Sequence, residues 1–205
     1  MIYLDSAATS LIKPARVEQA VLNAMRTLSS PGRGSYLPAM RAAETVYECR
    51  LSIAELFGVK DAENVVFTMN ATHALNIAIK SVVKPGMKVI VSGFEHNSVL
   101  RPLIASGAEV IICGKALFDA DEVYNDFANN IKFADVVVCT HVSNVFGFIL
   151  PVEKIASLCR AKNIPFILDA SQSAGVLQID FDSLGAAFVA FPGHKSLFGQ
   201  FYLLH

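Results

Sequence analysis

The sequence lacks any window of about 18 uncharged apolar residues, the length a membrane-crossing helix needs. Its richest stretch, Gly175 to Phe191, is interrupted by Asp180 and Asp182. It has no basic stripe, and 17 basic against 18 acidic residues leave a net charge of −1. Nucleic acid and membrane surfaces are therefore not expected partners. Met1-Ile2-Tyr3-Leu4-Asp5 lacks the basic region and following apolar run of a secretory signal. Cys49, Cys113, Cys139 and Cys159 never form a C-x-x-C pair. Each falls inside an apolar helix or strand pattern, where a reduced, buried thiol is the ordinary state. No metal site and no disulfide framework is expected, and the compartment reads as cytoplasmic. Also missing are a G-x-G-x-x-G after a strand and a G-x-x-x-x-G-K followed by Ser or Thr. A dinucleotide site and the usual nucleotide phosphate loop are thus unsupported. No low-complexity tract or internal repeat occurs.

What is present is apolar residue in excess. The hydrophobic fraction is 53%, above the roughly 45–50% of ordinary domains, and 205 residues suffice for one sizeable core. Strands buried on both faces, as in a parallel α/β sheet, account for that excess. Residues 1–60 read as a helical segment. Val17, Val21, Met25 and Leu28 mark one apolar stripe, and Val46, Cys49, Ile53 and Leu56 a second. A loop by composition, residues 29–35, separates them. From residue 61 to 205 the rhythm becomes strand, loop, helix. Strands are expected at Val65–Thr68, Lys88–Ser92, Ala108–Cys113, Asp135–Thr140, Pro165–Leu168 and Ala186–Ala190. Helices are expected at Ala71–Val83, His96–Ser106, Asp121–Lys132 and Pro151–Lys162. This alternation predicts a mostly parallel sheet with helices on both faces. Ligands in such sheets gather beyond the carboxyl ends of the strands.

Polar clusters do follow the strands. Asp169 ends the fifth, and a carboxylate there is costly to bury without a cation or good hydrogen bonds. A protonated pyridine nitrogen is such a cation; a helix N-cap before Ser171 is the plainer alternative. Lys195 follows the sixth strand beside His194. It reads either as a Schiff-base lysine or as part of a solvated basic loop. Thr72, at the start of the helix that Ala71 opens, would cap it or hold a phosphate. His96 would lie flat on an aromatic ring or sit half-exposed at a helix start. Asn144 and Gln172 would bond a phenolic oxygen or satisfy loop backbone.

Taken in order, the motifs are Tyr3-Leu4-Asp5-Ser6-Ala7-Ala8-Thr9-Ser10, Pro31-Gly32-Arg33-Gly34-Ser35 and Phe67-Thr68-Met69-Asn70-Ala71-Thr72. Glu95-His96-Asn97-Ser98, His141-Val142-Ser143-Asn144-Val145-Phe146-Gly147, Asp169-Ala170-Ser171-Gln172-Ser173-Ala174-Gly175 and Gly193-His194-Lys195 follow. Their order and spacing resemble the class V aminotransferase family, in particular the cysteine desulfurases and selenocysteine lyases, over residues 2 to about 199. The resemblance implies the large domain of the fold type I pyridoxal-phosphate (PLP) enzymes. Lys195 would carry the cofactor as a Schiff base, Asp169 would pair with the pyridine nitrogen, and Gln172 would bond the phenolic oxygen. His96 would stack on the ring and help move protons. Thr72, with Ala71 beside it, and His194 would contact the phosphate. Asn144 would lie near the cofactor or the substrate carboxylate, and Ala7, Ala8 and Thr9 would line the substrate side. L-cysteine is the implied substrate, alanine and an enzyme persulfide the implied products, and a homodimer the implied assembly.

Two departures accompany the resemblance. Pro192 stands where the family often has a phosphate-binding Ser or Thr, and Pro offers neither hydroxyl nor N–H. After Gly199 the family continues with a strand, the rest of the large domain and a small C-terminal domain, whereas here Gln200-Phe201-Tyr202-Leu203-Leu204-His205 follow. The persulfide-forming cysteine and the arginine that grips the substrate carboxylate belong to that further half, and none of the four cysteines matches the former. The expectation is a truncated chain, inactive alone. Other readings are a different class V aminotransferase or β-lyase, and a non-catalytic remnant or binding partner of a full-length relative.

Overall fold

The computed structural model describes residues 2–199; Gln200 and the residues after it, where the sequence departs from the family, lie outside the described residues. Five parallel strands form one sheet: β1 (Lys88–Ser92), β2 (Glu109–Cys113), β3 (Val136–Thr140), β4 (Phe166–Asp169) and β5 (Phe188–Ala190), in the order β2-β1-β3-β4-β5. Between them run α4 (Asn97–Ala105), α5 (Ala120–Asn130), α6 (Val152–Ala161) and the short α7 (Phe181–Leu184), while α1 (Ala15–Thr27), α2 (Leu37–Leu56) and α3 (Ala71–Val82) precede β1. Local chemistry sets several starts. Asn70 caps α3 by accepting from the His73 N–H at 2.8 Å, and Asp119 caps α5 by accepting from Glu122 N–H at 2.9 Å.

The strands alternate between two cores because successive side chains point to opposite faces. Val89 and Val91 of β1 pack with Val136 and Val138 of β3 against Leu75 and Ile79 of α3 and Val99 and Leu103 of α4. Ile90, Val137, Cys139, Phe166 and Leu168 face the other way, onto Phe127 of α5 and Ile155 and Cys159 of α6. All five residues of β3 are buried. A strand covered on both faces tolerates no alternating polar side, hence the run Val136-Val137-Val138.

Three expectations need correction. Val65–Thr68 is extended but pairs with no strand among the described residues. A cavity of about 640 Å³ separates it from the edge of β5, lined by Val65, Val66 and Thr68 on one side and by Phe188, Val189 and Ala190 on the other. β-rich composition makes a segment extended, but a strand also needs a neighbour within ladder distance. The apolar stripes of α1 and α2 are not covered: α1 buries no residue and α2 only Ala39, Ala42 and Ala54, while Met25 is 74% exposed. For the same reason Cys49, expected to be buried, is exposed, whereas Cys113, Cys139 and Cys159 are buried free thiols.

Candidate functional site

Parallel strands deliver their carboxyl ends to one edge, and the register aligns them: Thr140 of β3 lies opposite Asp169 of β4, and Asp169 opposite Ala190 of β5. The loops leaving these ends enclose a cavity of about 560 Å³. Ala7, Ala8, Ala71, Thr72, His96, Asn144, Asp169, Gln172, His194 and Lys195 all line it. Thr9 stands behind them, its Oγ1 3.1 Å from His194 Nδ1 and donating to the His194 carbonyl at 3.1 Å. Residues scattered over nearly the whole chain thus share one chamber.

Asp169 is 3% exposed. One of its oxygens, Oδ1, accepts from the Ser171 N–H at 2.9 Å, closing a turn rather than capping a helix. The ion pairs Lys60–Asp182 and Lys154–Asp121 lie elsewhere, so no cationic side chain among the described residues is paired with it. Burial raises its pKa above the ordinary carboxylate value, opposed by the Ser171 bonds and by the nearby His96 and Lys195. Lys195 is half-buried. Desolvation lowers its pKa, and the charge of Asp169 holds it back up.

The Lys195 loop is closed by Gly199 N–H donating to the Gly193 carbonyl at 2.7 Å and Phe198 N–H donating to the Lys195 carbonyl at 3.0 Å. It packs on the turn after Asp169 at Gly175, whose φ is +83° and where a Cβ would sit 3.0 Å from the Ser196 oxygen. Glycine therefore lets the two reactive loops touch.

His96 caps α4: its Nδ1 accepts from the Ser98 N–H at 3.1 Å. The neutral ring consequently carries its proton on Nε2. Gln172 Nε2 donates to the Ala7 carbonyl at 3.2 Å, fastening the amino-terminal segment across the cavity mouth. Lys13 Nζ donates to the His194 carbonyl at 3.2 Å from the same segment. His194 has its pKa lowered, first by desolvation and then by Lys195 and Lys13. Because Asn70 caps α3, Thr72 is not needed as its cap, and its first-turn N–H and hydroxyl stand at the cavity wall.

Pro192, noted as a departure from the family, also lines the chamber, as do Met69, Asn70, Ser98, Thr140, Val142, Ser171 and Gly193, to which the sequence assigned no role. Most are chain neighbours of residues that it singled out. Glu95 is a different omission: its carboxyl lies beneath the site, bonded to Thr140, and the sequence offered only its place after a strand and in the motif Glu95-His96-Asn97-Ser98.

The contents of the cavity fit pyridoxal phosphate on their own terms. A buried acid without an ion-pair partner suits a pyridinium, a half-buried lysine with a lowered pKa suits its aldehyde, and a helix start with spare N–H groups suits its phosphate.

Comparison with known proteins agrees with this chemistry. The family model "Aminotransferase class-V" matches residues 2–200. The cysteine desulfurase IscS of Pectobacterium carotovorum is 34% identical over 206 aligned residues, covering 95% of this chain and 50% of that protein. Among solved structures, the apo cysteine desulfurase of Thermococcus onnurineus NA1 superposes with a TM-score of 0.88 at 30% identity, covering 97% of this chain and 51% of that one. The cystine C–S lyase C-DES, solved with its product cysteine persulfide, superposes with a TM-score of 0.85 at 23% identity, covering 97% of this chain and 54% of that one. That last likeness shows the fold alone. The chain spans about half the length of the curated relatives it matches.

Proposed function

Since the chain belongs to the class V aminotransferase family, we propose that its cavity is a pyridoxal-phosphate site and its activity, within a complete enzyme, cysteine desulfuration. The observation that carries this reading is Asp169, a buried carboxyl with no ion-pair partner among the described residues, sharing one chamber with a half-buried lysine. Bound there, pyridoxal phosphate supplies an electron sink for bonds to the substrate α-carbon.

The chain's own residues divide the remaining tasks. Lys195, whose pKa is lowered by burial, would hold the cofactor's aldehyde and move the proton at the substrate α-carbon. Asp169 holds the pyridine nitrogen protonated. His96, whose Nδ1 accepts from the Ser98 N–H, would face the ring and leave Nε2–H to move a proton. Gln172 keeps one amide hydrogen for the phenolic oxygen after its bond to Ala7. Thr72 and the start of α3, with His194, take the phosphate, and Pro192 adds no donor there. Asn144 and residues 7–9 border the place for an amino-acid substrate such as L-cysteine.

Among the described residues no cysteine lines the cavity. The thiolate that accepts sulfur as a persulfide is therefore supplied from outside residues 2–199, and the chain with pyridoxal phosphate and cysteine alone will not accumulate persulfide. A homodimer is supported by the uncovered apolar residues of α2, among them Leu37, Met40 and Leu51. A reducing, cytoplasmic setting is supported by the buried free thiols.

The test is an absorbance spectrum of the purified chain with pyridoxal phosphate, before and after borohydride, with Lys195→Ala in parallel. The expected outcome is a near-visible band that borohydride fixes as a covalent adduct on Lys195 and that the variant lacks. A folded wild-type chain with no band and no adduct overturns the reading.

A further inference from the structure

Glu95 takes no part in the chemistry above, yet it is built into the floor of the site. Its Oε1 accepts from Ser92 Oγ at 2.5 Å and from the Thr140 N–H at 2.7 Å. Ser92 ends β1 and Thr140 ends β3, directly opposite Asp169. The carboxyl therefore bridges two strand ends across the sheet. The same hydroxyl of Ser92 accepts from the Phe94 N–H at 3.2 Å, folding the loop back on itself. The next residue is His96, whose ring is in turn pinned by capping α4.

The other oxygen, Oε2, has neither solvent nor a hydrogen-bond partner among the described residues. A carboxylate with one oxygen bare in this way is an uncompensated buried charge, which proteins avoid by neutralising the group. An uncharged acid fits the observed bonds: Oε1, receiving two donors, is the carbonyl oxygen, and the proton rests on Oε2.

We propose that Glu95 is a positioning residue of the cofactor site: held as an uncharged acid, it ties β1 to β3 and fixes His96 in its place beside Asp169. This rests on the pyridoxal-phosphate reading for its functional meaning but not for its geometry. The groups that face Glu95 are both acids, Asp169 at the end of β4 and the Cys139 thiol on β3. Burial raises its pKa to about 8, and the charge of Asp169 adds to the rise against the bonds from Ser92 and Thr140. Asp169, by contrast, has the Ser171 N–H and the nearby His96 and Lys195 on its side. Of two neighbouring acids that resist double ionisation, Asp169 keeps the charge and Glu95 keeps the proton.

The experiment compares wild type, Glu95→Gln and Glu95→Ala. Glu95→Gln keeps the shape and an acceptor oxygen but does not titrate. Glu95 is an acid whose folded pKa lies above its unfolded value, so the stability it allows is full below about pH 4.5 and declines as pH rises through about 8. The urea midpoint of wild type should therefore fall relative to Glu95→Gln between pH 5 and pH 8, without any cofactor. Parallel curves overturn the uncharged-acid assignment.

Positioning is read separately, from the imidazole NMR signals of His96 and from pyridoxal-phosphate binding at pH 7. Glu95→Gln should leave both as in wild type. Glu95→Ala should shift the His96 signals and weaken binding by about tenfold, the worth of one hydrogen bond. Unchanged His96 signals in a folded Glu95→Ala protein overturn the positioning role. Failure of wild type to bind pyridoxal phosphate would count against the cofactor reading instead, while the His96 signals and the pH dependence of the midpoint would still decide on Glu95.

Discussion

The sheet and the amino-terminal helices carry apolar residues with similar regularity but bury them very differently. In β3 every side chain is buried, and α3 to α6 each press a stripe onto the sheet. In α1 nothing is buried, and in α2 only three alanines are, while Leu37, Met40, Tyr47, Leu51 and Leu56 stay exposed. The amino-terminal segment is attached mainly at two points. Residues 7–13 are bonded to Gln172 and His194 at the cavity, and the end of α2 docks through Phe57, whose ring centroid lies 4.7 Å from that of Phe191. The difference is one of partners rather than of pattern. A stripe states which face of a helix seeks burial, and another surface must be present to supply it.

Thiol reactivity sharpens this contrast most. Cys49 on α2 is exposed, though partial desolvation raises its pKa too, whereas burial pushes Cys113 up to about 11 and Cys159 to about 12, and Cys139 well above its ordinary value. In native protein at pH 8 an aromatic disulfide reagent should label Cys49 first. The other three should lag by a factor on the order of 10³ or more, because they react only through opening of the core. Four equal rates would mean that the sheet is no better protected than α2. The next largest effect is Phe127→Ala, which removes a fully buried ring of α5 from the core. It should lower stability by about 3–5 kcal/mol in urea denaturation.

The sheet was the more legible region for the same reason that it resists substitution. Val89-Ile90-Val91 and Val136-Val137-Val138 sit between turn signals, and both their faces are covered by helices that lie nearby in sequence. The limits of the four helices expected after residue 70 fell within two residues, at capped starts such as Asn70 and Asp119 and at the uncapped start of α6 alike, whereas the short α7 behind its cap Asp180 was not expected. The site residues were findable because parallel topology sends strand ends to one edge, so His96, Asp169 and Lys195 could be grouped before any distance was known; Thr72 joined them through a segment, Val65–Thr68, that is not a strand of the sheet. Val65–Thr68 misled because composition reports extension and is silent about a ladder partner. Cys49 misled because helical periodicity is silent about cover. Glu95 was passed over because a glutamate in a polar loop looks solvated until its carboxyl is seen bridging Ser92 and Thr140.

A smaller effect probes the boundary between the two regions. Asn70 joins the extended Val65–Thr68 segment to α3, and its side chain holds the His73 N–H at 2.8 Å. Asn70→Ala should cost about 1 kcal/mol of stability. It should also weaken pyridoxal-phosphate binding, since α3 opens at the cavity wall. A loss of stability with binding untouched would separate the helix start from the phosphate site.

The smallest effect is the one that could break the contrast. Met25 lies in the apolar stripe of α1 and is 74% exposed. Truncating a side chain that touches little removes little, so Met25→Ala should change the urea midpoint by less than about 0.5 kcal/mol equivalent. The measurement is best made at two protein concentrations tenfold apart, because a covering surface supplied by a second copy is lost on dilution. A cost near 2–5 kcal/mol at the higher concentration would put Met25 in a covered environment. Such a cost fading on dilution would identify that cover as another copy of the chain. The helices would then be as well packed as the sheet, with half of their packing supplied by a neighbour.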